Sequence, residues 1–369
     1  MKKTTIFTAA GFCLVAAFSV TQPRAEADPS MVWNRKAAAA YLDQRATWWT
    51  TWPNAQRDHG TFCVSCHTAL PYALARPALR QPLGETAPSA PEAALLANIT
   101  KRVTNWRDME PFYPDQTRGV PKTSESRATE AILNAVILSR RDARTGALSD
   151  EGRRALDNMW ALQMKTGPQT GAWTWLQFHN EPWEGDSSPF HGAALAAIAA
   201  HGAPGGYAAS AENVERVKAL DDYLRKNNEQ QVLLNRAVLL WVSATAPELL
   251  PREQQQAIVD ALLRAQQEDG GWSTASLGAW KRNDGSALDT RTDGYATGLV
   301  TFVLESAADA PVTPQVKRGL AWLVSHQDRA TGTWFAASLN KQRDPASDAG
   351  KFMSDAATAY AVLALTKAQ

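Results

Sequence analysis

Gln266-Gln267-Glu268-Asp269-Gly270-Gly271-Trp272 is the stretch that decides how this chain folds. It reads as an amphipathic helix ending at its Gln, a tight turn built from Asp and Gly, and a Trp that packs back. The rhythm recurs at Gln327-Asp328…Gly332-Thr333-Trp334 and, stretched, at Gln163-Met164-Lys165…Gly171-Ala172-Trp173. After each copy comes a polar loop and then a helix rich in Ala and Leu, apolar nearly all round. Ser187 or Ser188, Asp293 and Asp355 stand where those helices would be N-capped. The stretch 124–138 has the same apolar character.

Collected along the chain, amphipathic and apolar helices alternate as six pairs: 36–47 with 66–80, 91–106 with 124–139, and 151–163 with 188–201, then 212–227 with 232–245, 252–267 with 293–307, and 313–327 with 355–367. An all-round apolar helix is buried and an amphipathic one covers it. Six such pairs stacked in an open row, as an α-solenoid, would expose an apolar end. Closing the row satisfies every pair. The expected fold is all-α, an α6/α6 toroid with inner and outer rings of helices, in one domain over 28–369. Hydrophobic residues at 44% supply the core, and the 14 Trp residues are heavily over-used.

The Gln…Gly-x-Trp segments resemble the QW repeats of squalene–hopene cyclases and related prenyltransferase-like proteins. The resemblance covers most of the chain from about residue 90 and implies fold, not activity. Class II cyclases of that family use an Asp-x-Asp-Asp acid, which has no match here: Asp221-Asp222 stands isolated and Asp289…Asp293 has the wrong spacing. The zinc set of protein prenyltransferases and the aspartate cluster of prenyl-diphosphate chemistry are missing as well. Asp293 is the one weak candidate for a catalytic acid, at an inner-helix start, and an N-cap Asp there is expected to have a lowered pKa.

A second motif lies outside the repeats. Phe62-Cys63-Val64-Ser65-Cys66-His67 carries Cys-x-x-Cys-His, the attachment pattern of haem c. Two thiols add across the haem vinyl groups, and the adjacent imidazole reaches the iron as proximal ligand. A disulfide, a redox dithiol or part of a zinc site are the other readings of Cys63 and Cys66, though no second cysteine pair exists to complete a zinc site. The N-terminus supports haem. Lys2 and Lys3 precede an apolar run from Ile6 to Val20, and Ala25-Glu26-Ala27 offers a cleavage pattern. Residues 1–27 therefore read as a signal peptide, and the mature protein as periplasmic or secreted and not membrane-spanning. Cleavage turns the formal charge of +1 into −1, with no basic run to attract nucleic acid.

Placed on the toroid, His67 opens the first inner helix, on the rim that also gathers the loops 108–123, 174–187, 280–292 and 340–353. Loops on a rigid scaffold are where binding residues collect. Met109, His179, His191 and Met353 are the candidates on that rim for the sixth iron ligand. Arg118, Arg282 and Arg291 read chiefly as solvated loop charge, with haem propionates as the other use. Trp175, Trp183, Trp280 and Trp334 read as plugs between hairpins.

The function expected is electron transfer or haem-dependent redox chemistry at the barrel mouth, with a periplasmic redox partner and a small apolar ligand in the barrel as candidate partners. The alternative is a cyclase- or transferase-like enzyme, or a binding scaffold, in which Cys63 and Cys66 form a disulfide.

Overall fold

The three Gln residues do one job three times over. In the computed structural model, Gln266 Nε2 donates to the carbonyl of Gly270 in its own turn at 2.8 Å and to that of Gln315 at 2.7 Å. Gln163 does the same with Gly171 and Arg216, both at 2.9 Å. Gln327 reaches Gly332 at 3.2 Å and Asn34 at 3.1 Å. The Trp of each copy donates its indole N–H back into the preceding helix: Trp173 to Met159, Trp272 to Leu262 and Trp334 to Leu323. Each Gln thus stitches its own turn to the start of another amphipathic helix.

Met1 and residues 32–114, 122–307 and 313–368 are described; residues 2–27 of the expected signal peptide and Arg118 lie outside them. From Trp33 onward the described chain is one unit and all-α. Twelve α-helices of seven residues or more are described: α1 Arg35–Thr51, α2 Ala69–Ala75, α3 Ala90–Thr104, α4 Lys122–Thr145, α5 Asp150–Trp160, α6 Ser188–Gly202, α7 Val214–Asn227, α8 Leu233–Val242, α9 Arg252–Arg264, α10 Gly294–Ser306, α11 Pro314–Ser325 and α12 Phe352–Lys367. A two-residue ladder pairs β1, Gln56–Arg57, antiparallel with β2, Thr61–Phe62. Among the described residues no helix is long and apolar enough to cross a membrane.

Side-chain caps start several of the amphipathic helices. The Asn34, Ser149 and Thr313 side chains accept from backbone amides of the first turns of α1, α5 and α11. Ser89 and Glu92 form a capping box on α3. The even-numbered helices from α4 onward are the apolar ones. Every residue of α6 from Phe190 to Ala200, and every residue of α10 from Gly294 to Leu304, is buried. They pack in sequence: α2 on α4, α4 on α6, α6 on α8, α8 on α10, α10 on α12, and α12 back on α2.

Three boundaries differ from expectation. The first apolar helix, expected over 66–80, begins at Ala69, so His67 precedes it rather than opening it. The repeat helices stop two or three residues before their Gln, at Trp160, Arg264 and Ser325. The Gln side chain is thereby free of the helix and able to bridge. Asp355 is not an N-cap, because α12 begins at Phe352 and puts Asp355 inside the first turn.

Gln266→Ala removes three hydrogen bonds, the two given by Nε2, worth about 1 kcal/mol each, and an exposed one that Oε1 accepts from Arg318 and that adds little. We expect a loss of about 2 kcal/mol and a lower midpoint in urea unfolding with an unchanged slope.

Candidate functional site

The haem-motif segment is held at both ends by backbone pairing. Cys63 N donates to Ala55 O at 2.8 Å. Asn98 on α3 clamps Phe62, accepting from its N–H at 2.8 Å and donating to its carbonyl at 3.0 Å. Ser65 Oγ accepts from the amides of Thr68 and Ala69, at 3.2 and 3.0 Å, and so starts α2. The Trp49 indole donates to Cys63 O at 2.6 Å.

Cys63 and Cys66 are free thiols and both buried. Burial pushes Cys63 up to about 12 and Cys66 well above the ordinary thiol range, so both are neutral. His67 lines a cavity of about 460 Å³ together with Cys66. Its ring stacks on Phe352 with centroids 3.9 Å apart and meets Trp49 edge-on at 5.0 Å. Burial, with the Arg45 and Arg343 charges, pulls His67 down to about 3, so the imidazole is neutral. Nδ1 lies 2.9 Å from Thr68 Oγ1, and Thr68 Oγ1 donates to Asp355 Oδ2 at 2.7 Å. Nε2 makes no hydrogen bond among the described residues. A neutral imidazole with one bare nitrogen beside a cavity is in the protonation state that metal binding requires.

The cavity walls come from the predicted loops: Tyr113 from 108–123, Phe178, Asn180, Glu181, Trp183 and Glu184 from 174–187, and Asn340, Arg343 and Ala349 from 340–353. The loop 280–292 does not line it but braces the others, through Asn283 on His179 O and Asp284 on Gln342 N.

Of the four sixth-ligand candidates, Met353 alone lines the His67 cavity, and it is buried. Met109 is buried elsewhere, with its carbonyl taken by Arg127. His191 is buried in α6 against Trp175, and burial pulls it down to about 4. His179 is exposed and faces Asp186 at 3.5 Å. Trp183, expected only as a plug, lines the cavity with its ring 6.2 Å from His67. Arg282 is occupied by Ser338 O and Arg291 by Asp289.

Asp293 is the N-cap of α10, accepting from Tyr295 N and Ala296 N at 3.0 Å and from Thr274 N and Oγ1 at 2.6 and 2.7 Å. Its pKa does not fall as expected. Burial pushes the carboxyl up to about 6 against those four donors. It sits with Asp289, Arg291 and His326 in a separate cavity of about 280 Å³, and neither Cys66 nor His67 lines that one. Among the described residues, no group of three or more His, Cys, Asp or Glu gathers to hold a metal ion.

Sequence reasoning missed three residues of the His67 site: Arg343, Glu184 and Asp355 in its side-chain role. Burial pushes Glu184 up to about 7, against Asn180 and Lys122. A carboxyl raised from about 4.3 when unfolded binds its proton more tightly in the fold. Its burden on stability is absent at pH 4 and grows as pH rises through 7. Glu184→Gln removes it. The variant and wild type should unfold alike in urea at pH 4, and the variant should be more stable by about 2 kcal/mol at pH 8.

Comparison with protein-family models gives no match, and comparison with curated proteins gives none.

Proposed function

We propose that the chain is an exported c-type haem protein, with one haem held by Cys63, Cys66 and His67 at the mouth of an α6/α6 toroid. The observation that carries this reading is the Cys-x-x-Cys-His segment beside a cavity, with the His67 Nε2 bare and Nδ1 engaged. The residues suit a haem. Trp49, Trp183 and Phe352 would give aromatic walls, Met353 a soft sulfur donor, and Arg343 a fork for a propionate. Bound there, haem supplies one-electron redox chemistry. His67 would hold the iron through Nε2, the loops around the cavity would limit access of water, and Cys63 and Cys66 would keep the group from dissociating.

The toroid reading rests on the closed order of helix packing and on Gln327, which ties the last pair to Asn34 of the first. The signal-peptide pattern of residues 1–27 supports export to the periplasm or beyond, where haem attachment takes place. With no acid motif of the cyclase kind, electron transfer or haem redox at the cavity is the activity proposed, with a periplasmic partner.

The test is expression to the periplasm beside a haem maturation system. We expect a Soret band, haem staining on a denaturing gel, and a mass raised by one haem. Cys63→Ala with Cys66→Ala should lose all three. A colourless wild type of unchanged mass ends the proposal.

A further inference from the structure

Building on the haem reading, we infer that Thr68 and Asp355 are positioning residues for His67: they fix its proton on Nδ1 and leave Nε2 as the donor nitrogen.

The assignment follows from counting protons. Asp355 Oδ1 already accepts from Tyr41 Oη and Arg45 Nε, each at 2.8 Å. Burial raises the Asp355 carboxyl, and the Arg45 guanidinium on Oδ1 with the Tyr41 and Thr68 donors opposes it; an ion pair of that geometry holds a carboxylate, which can only accept. Thr68 has a single hydroxyl proton, and Asp355 Oδ2 takes it at 2.7 Å. The Thr68 oxygen therefore turns a lone pair toward His67 Nδ1, 2.9 Å away, and that nitrogen must carry hydrogen. The opposite arrangement would set a hydroxyl lone pair against a carboxylate in a dry site. Tyr41, Arg45, Thr68 and Asp355 are all buried, so no water competes. Stacking on Phe352 and the edge of Trp49 hold the ring from turning over.

The chain of bonds does more than choose a tautomer. A buried carboxylate behind the hydroxyl draws the Nδ1 proton outward and makes Nε2 a stronger electron donor. Its members come from α1, α2 and α12, so the ligand's donor strength is set by three helices that meet only in the completed fold.

Two readouts separate this inference from the haem reading. In the full mature chain made without haem, nitrogen-15 spectra should show His67 protonated on Nδ1. Thr68→Val, which removes the hydroxyl and leaves the Tyr41 and Arg45 bonds to Asp355 in place, should move the proton to Nε2, the form a free neutral histidine prefers. Thr68→Ser should restore the wild-type spectrum. In the haem-loaded protein, Thr68→Val should raise the midpoint potential and Thr68→Ser should leave it at the wild-type value. A wild-type His67 protonated on Nε2, or a potential indifferent to Thr68→Val, overturns the inference. A correct tautomer in a chain that never takes up haem overturns only the haem reading.

Discussion

Gly332→Ala is expected to cost about 3–5 kcal/mol and lower the melting temperature by roughly 10 °C, a loss readable by calorimetry. Two effects add. Gly332 has φ +80°, a conformation that costs an L-residue about 1–2 kcal/mol. Its new Cβ would also lie 2.2 Å from Ala37 C and 2.3 Å from Ala38 N. Those atoms are the backbone of α1, which cannot rotate aside as a side chain can. Relief requires α1 to move away from the last repeat turn, against the Asn34–Gln327 bonds at that contact. Gly285→Ala is the control, since φ is +72° there and nothing lies within 4 Å of the added carbon. It should lose only the conformational part, about 1 kcal/mol. Equal losses in the two variants would contradict the closure of the first helical pair on the last.

Arg102→Met should cost about as much, 3–5 kcal/mol, by a different route. Arg102 and Glu130 are fully buried and joined through Nε and Oε1 at 2.5 Å. Burial raises the Glu130 carboxyl, and Arg102 is what opposes it. Removing the guanidinium leaves a charge, or a neutral acid short of a partner, inside the core. Arg102 also donates to Thr61 Oγ1 at 2.6 Å and to Glu110 O at 2.7 Å, and its loss frees the ladder leading into Cys63. Equilibrium urea unfolding reads the loss. Arg102→Met with Glu130→Leu should recover most of it, because an apolar pair leaves no buried charge unpaired. A double variant no better than the single would show that the ladder contacts, not the ion pair, carry the cost.

The fold was largely legible because its punctuation is local. A Gln, a Gly turn and a Trp lie within a dozen residues of one another, and the alternation of apolar and amphipathic helices needs only a short window. The convergence of 108–123, 174–187 and 340–353 on His67 was also readable, since loop order follows helix order. What escaped was set by partners far along the chain. Asp355 looked like a cap; with α12 starting at Phe352, its carboxylate turns to Arg45, 310 residues away. The Asp293 pKa went the other way because the helix start that should lower it is also dry. Arg343 and Glu184 carry no local signal at all, and only the cavity gives them meaning.

The bonds between Asn34 and Gln327 span 293 residues, and that separation sets a timetable. Contacts so distant in sequence form late, because long loops must close first. The thiols leave the ribosome with the first helical pair, while Phe352 and Asp355, which press on His67 and brace it, arrive with the last. For the haem protein proposed, covalent loading has an interval of its own, after the motif emerges and before α12 docks. The closed chain then works as a latch on a finished cofactor.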